Sequence, residues 1–248
     1  MVCWSSAVLA VASACRTPAA DVPSSSAADA SWTMVHVERA QRALRAYGLA
    51  LRPRTTSIAV HETTASFVAA TGQEQAALRA WTTWGTVHLL HPRLWGDDGD
   101  AVRTQRLTHE LCHAALLHSF ADEPTAIAAR VPRFFTEGAC SVVAGQARVS
   151  PVEVIARAAG ALPLTVDWFA RDPDAAYGAA HALATLLERD YGPRAFATVM
   201  EAAARDGRAG CVERALLALT GAPSVPALWQ RVVDSTVDRP VDTATPAP

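Results

Sequence analysis

"RTQRLTHELCHAALLHSF", residues 103–120, sets two histidines four positions apart with a glutamate directly after the first. On a helix, positions i and i+4 share one face, one turn apart, so His109 and His113 can direct both rings to a common point. Glu110 is rotated away by one residue. It is poorly placed as a third ligand of an ion held there, yet it can reach a water on that ion. Leu107, Leu111, Leu116 and Leu117 supply an apolar face that packs such a helix down. The pattern predicts a helix from about Val102 to Ser119 carrying the start of a metal site. The bland alternative is a helix with one core and one surface histidine.

Around this segment the chain divides into a small mixed part and a helical part. Upstream, "TMVHVERAQRALRAYGL" (33–49) places Val37, Ala40, Leu44 and Tyr47 at helical spacing, with Gly48 as the stop. "TTSIAVHET" (55–63) reads as a short β-branched strand and "GTVHLLHPRLW" (85–95) as a second, stopped by Pro92. The stretch between them, "SFVAATGQEQAALRAW" (66–81), reads as a connection with one or two short helical pieces. "GDDGD" (96–100) is a surface turn. It lacks the spaced oxygen ligands of a calcium loop, and the scattered glycines form no phosphate-binding loop. Downstream of "ADEPT" (121–125) helices are expected near 133–146, 151–159, 175–191, 193–206, 209–219 and 224–234. The fold class expected is α+β.

The 248 residues are 50% hydrophobic, enough to bury one substantial core, while the aromatic share of 6% points to closely packed, alanine-rich helices. A formal charge of -2 without a basic block argues against nucleic acid as a partner. "MVCWSSAVLAVASAC" (1–15) is too short to span a membrane and resembles the apolar core of an export signal. Its end at "ASAC" resembles a lipoprotein processing site, with Cys15 as the lipid anchor. No Lys or Arg precedes the run, and Ala12 stands where such sites usually have leucine. Residues 1–32 are thus read as a leader and flexible tether, 33–236 as the folded domain, and 237–248 as a disordered tail. The expected location is outside the cytoplasm, in the periplasm or cell envelope or beyond it.

Two histidines make a weak site, because catalytic zinc usually has three protein ligands and an open position. A histidine ten residues after His109, preceded by a glycine at the sixth, would complete one arrangement, but Ala115 and Ser119 stand there. Asp122 and Glu123 are acidic and near in sequence, though with Pro124 they resemble a capped turn. Glu137 in "VPRFFTEGACSVVAG" (131–145) is the stronger candidate. Its apolar surround makes an uncompensated carboxylate costly, and its distance from His109 suits a helix, a connection and a returning helix.

"LTHELCHAAL" followed by "VPRFFTEGAC" resembles the gluzincin metallopeptidases, especially the compact peptidase-MA-like domains. The likeness runs over about 33–236, through "TTSIAVHETTASFVAATG", "GTVHLLHP", "AAYGAAHALATLLERDYGPRAF", "CVERALLALTG" and "VPALWQRVVDS". It implies a zincin-like fold, one zinc ion held by His109, His113 and Glu137, and Glu110 as general base in hydrolysis of a peptide or protein substrate by a metal-activated water. It further implies that Tyr177 stabilises the developing oxyanion, with His181 one turn on as the next candidate. The chain departs from the family at Phe134 or Phe135, where tryptophan is frequent, and at Ser141 and Val142, where an aromatic is frequent. A second expectation for the whole protein is a metallopeptidase-like, zinc-holding envelope protein without turnover. Should both ligand helices meet at one ion, Cys112 and Cys140 would flank it, either as buried thiols or as a disulfide. His36, His61, His88, His91 and His118 have no such partners in sequence and are expected at the surface or at strand ends.

Overall fold

The computed structural model describes residues 27–51, 56–74, 78–83, 86–96, 98–118 and 131–237. The leader with Cys15, the acidic pair Asp122 and Glu123, and the tail from 238 onward lie outside the described residues. Helix α1 spans Ala27–Ala46, β1 Ser57–His61, α2 Thr64–Thr71, β2 Ala80–Thr83, β3 Thr86–Leu90 and α3 Asp100–Leu117. Seven further helices follow: α4 Arg133–Val143, α5 Pro151–Ala158, α6 Val166–Arg171, α7 Pro173–Tyr191, α8 Ala195–Asp206, α9 Cys211–Thr220 and α10 Val225–Val237. The architecture is α+β, as expected from the chain's two-part pattern.

The sheet has order β1-β3-β2, with β1 parallel and β2 antiparallel to the central β3. Val87 and Leu89 of β3 are buried and alternate with half-buried Thr86 and His88. This period of two turns one face inward. Helix α3 packs on β2 and β3 through that face, and Leu107, Leu111 and Leu116 are fully buried beneath it. Helix α1 lies against α3 with Val37, Ala40 and Leu44 inward, and Gly48 at φ 71° ends its C-terminal turn.

Helices α4 and α7 pack closely, and one glycine makes this possible. A Cβ added at Gly138 would stand 2.2 Å from the Ala180 carbonyl oxygen. No side chain fits there, so the two backbones meet directly. That approach brings the helix carrying Glu137 beside the helix carrying Tyr177.

Three expectations are corrected. Helix α1 begins at Ala27, inside the stretch read as a tether: its N-terminal residues lack an apolar period, and the helix is carried by the packed face from Val37 onward. The connection 66–81 holds one of the expected helical pieces among the described residues, in Thr64–Thr71, but it ends in an unexpected strand, Ala80–Thr83, that pairs with β3 through the register Thr82 to Val87. Two of the five other histidines, His36 and His118, are buried rather than at the surface or a strand end, and His91, at the end of β3 as expected, is buried too. His36 meets the Thr104 hydroxyl at 2.6 Å, His118 meets that of Thr56 at 3.3 Å, and the His91 ring accepts from the Arg93 amide. Local polar partners make their burial tolerable.

Candidate metal centre

Helix α3 delivers the two histidines from successive turns, and α4 delivers Glu137 from its second turn. Nε2 of His109 lies 3.1 Å from Nε2 of His113, and Glu137 Oε2 lies 3.2 Å from the first and 3.5 Å from the second. The rings are nearly perpendicular, at 81°, with both Nε2 atoms directed inward. Among the described residues, this group of three can hold a metal ion. His109 is buried, while His113 and Glu137 are half-buried, so the group opens on one side.

The three groups act strongly on one another's protonation. Burial alone would push Glu137 up, but the His113 charge and hydrogen bonds from His109 and His113 hold its carboxyl well below the usual carboxylate range. Burial pulls the His113 imidazole down, yet Glu137, and more weakly Glu110 and Cys112, raise it to about 9. An ion held by this group would have to displace the proton on His113. Nδ1 of His109 is buried without a hydrogen-bond partner among the described residues, although a histidine ligand ordinarily donates that N–H to an acceptor.

Glu110 stays outside the triangle, as its rotation on α3 requires. Its Oε2 accepts from the Thr82 hydroxyl at 2.7 Å, and the same hydroxyl lies 2.9 Å from the Glu110 carbonyl oxygen. Thr82 therefore fixes the Glu110 carboxylate against β2 and leaves Oε1 without an internal partner among the described residues. No sequence pattern marked Thr82, because its role depends on β2 being a strand.

Tyr177 reaches the group through Arg133. Nη2 of Arg133 donates to the Tyr177 hydroxyl at 3.0 Å, and its Nε stands 3.6 Å from Glu137 Oε1. Arg133 also lies over the Phe169 ring at 4.7 Å. Burial pushes the Tyr177 phenol up and Glu137 adds to this, while Arg133 and Arg148 oppose it. Tyr177 stays protonated and is available as a donor. Arg133 was not singled out in the sequence; its position four residues before Glu137 on one helix face was the available signal. His181 instead lines a cavity of about 420 Å3 to which none of the three candidate ligands contributes.

Cys112 and Cys140 are both free, fully buried thiols. Burial pushes the Cys140 thiol well up, and a hydrogen bond with Cys112 adds to it. The expected nearness of the two is present, and the bridge is not.

Comparisons with known protein families, with curated proteins and with solved structures find no match in any of the three.

Proposed function

We propose that this protein is a zinc-dependent peptidase of zincin-like fold, with His109, His113 and Glu137 as ligands and Glu110 as general base. The observation that carries the reading is the triangle of donor atoms. Its edges of 3.1, 3.2 and 3.5 Å agree with the spacing of roughly 3.3 Å between ligands of a tetrahedral zinc at bond lengths of about 2.0–2.2 Å. Two neutral imidazoles and one carboxylate also suit zinc and leave a net positive charge.

When bound, zinc supplies a Lewis acid for a carbonyl and acidifies water toward a pKa of about 7. The chain's residues account for the rest. Glu110, with Oε2 held by Thr82, takes the water proton at Oε1 and returns it to the leaving amine. Tyr177 keeps its own proton while accepting from Arg133, so it can donate to negative charge growing on the carbonyl oxygen. Strand β2 pairs with β3 along one edge only among the described strands, and a peptide in extended form could add to the other.

The test uses zinc content by elemental analysis beside cleavage of a diverse peptide library. Glu110→Gln is expected to keep about one zinc per chain and to lose hydrolysis by a factor on the order of 10² or more. His113→Ala and Glu137→Ala are expected to lose zinc. Equal cleavage by wild type and Glu110→Gln would sink the mechanism, and full zinc affinity in Glu137→Ala would sink the ligand set. Zinc bound tightly by a wild type that cleaves nothing would favour the reading as a zinc-holding protein without turnover.

A further inference from the structure

We propose that the groove between α5, α7 and α10 binds a small carboxylate bearing an apolar chain, with Arg148 holding the carboxylate. The cavity of about 420 Å3 falls in the size range of small-molecule sites. Val149 and Val152 at the start of α5, Leu186 on α7 and Val232 on α10 form its apolar wall. Arg148 and His181 line it on one side, and no acidic residue lines it anywhere. Val152 is 61% exposed despite its apolar side chain, so the wall reaches solvent.

Arg148 is half-buried, and its hydrogen-bond partners are neutral. Nε and Nη2 donate to Ser141 Oγ at 3.1 and 3.0 Å, and Nη2 donates to Gln146 Oε1 at 2.5 Å. Its guanidinium also lies 5.0 Å from the centre of the Tyr177 ring. These contacts fix the guanidinium in place and leave Nη1 unused among the described residues, while Glu137 and Asp174 act on it through space without a hydrogen bond to it. A partly desolvated cation with neutral partners is a ready receptor for a carboxylate, which it can meet with directed N–H groups. The His181 ring has no hydrogen-bond partner among the described residues and offers a second donor one helical turn beyond Tyr177. Arg189, the third basic group of the lining, is already engaged by Asp190 at 2.6 and 3.1 Å.

Such a carboxylate has two sources, the C-terminal residue of a peptide or a short fatty acid, and the probes separate them. N-acetyl-leucine and octanoate, with N-acetyl-leucinamide and octanol as uncharged controls, are titrated into the full chain by calorimetry and by protein NMR. Saturable binding of at least one acid is expected, with its uncharged control about tenfold weaker or worse. Preference for N-acetyl-leucine would identify a peptide carboxylate, and preference for octanoate a fatty acid. Arg148→Gln should weaken the acid about tenfold or more. Because Arg148 packs on Tyr177, Val152→Glu serves as a second variant at an exposed position, and it should weaken the acid similarly by charge repulsion. Glu110→Gln and His113→Ala should bind the acids as wild type does, so the outcome is independent of the peptidase reading. Equal affinity for acid and uncharged control overturns the proposal. So does the absence of saturation by either acid at about 10 mM, or wild-type affinity in both groove variants.

Discussion

Thr82 is the residue on which the Glu110 carboxylate depends for its orientation. Its hydroxyl donates at 2.7 Å to Glu110 Oε2, and valine would keep the shape while removing the donor. Loss of one such bond costs about 1–1.5 kcal/mol, so Thr82→Val is expected to lower peptidase kcat roughly tenfold with zinc content unchanged. A second expectation concerns His113. Its imidazole rises from 6.5 to about 9 in the metal-free chain, where Glu137 overcomes the effect of burial. A raised histidine stabilises the fold fully below about 6.5 and loses that contribution as pH climbs through 9. Glu137, held below its usual value of 4.5, contributes above that value and fails only in stronger acid. Chelator-treated protein should therefore melt at progressively lower temperature between pH 6.5 and 9. An ion displaces the His113 proton, so its apparent affinity should rise about tenfold per pH unit over the same range, as read by competition with a chelating dye.

At the scale of elements, Gly138 decides how closely α4 can approach α7. Gly138→Ala puts a methyl 2.2 Å from a backbone carbonyl that cannot rotate away, so α4 must shift. Overpacking of this kind costs about 1–3 kcal/mol, which for a domain of this size lowers the melting temperature by roughly 2–4 °C per kcal/mol. Thermal melts with and without zinc measure it, and zinc affinity should fall as well because Glu137 moves with the helix. The longer helices were legible because each repeats an apolar face over several turns: α3 through Leu107, Leu111 and Leu116, and α7 through Ala176, Ala179, Ala180 and Leu183, all buried. Helix α6 was missed because six residues hold too little of a period, and β2 because "AWTT" is short, partly polar and held by pairing with β3. Glu137 was legible as a carboxylate in an apolar segment. Thr82 and Arg133 were not, since each acquires its partner only when separate elements meet.

For the whole molecule, the core runs without a break from the sheet through α3, α4 and α7 to α8, α9 and α10. Tyr47, at the end of α1, donates to Glu188 of α7 at 2.7 Å and stacks on Phe196 of α8, tying the first helix to the last third of the chain. Cys112, Cys140 and Cys211 all lie within this core. Their alkylation should therefore require opening of the fold. Iodoacetamide is expected to leave these three unmodified in the native protein and to label all three in denaturant, as mass spectrometry of digested protein would show.

His109 and Glu137 are separated by 28 positions in the chain and by 3.2 Å in space. An ion held by the proposed ligands would act as a removable cross-link, closing a loop whose freedom in the unfolded chain is worth roughly 3–4 kcal/mol. On the proposed ligand set, the stability of the folded chain would then depend on the supply of the ion.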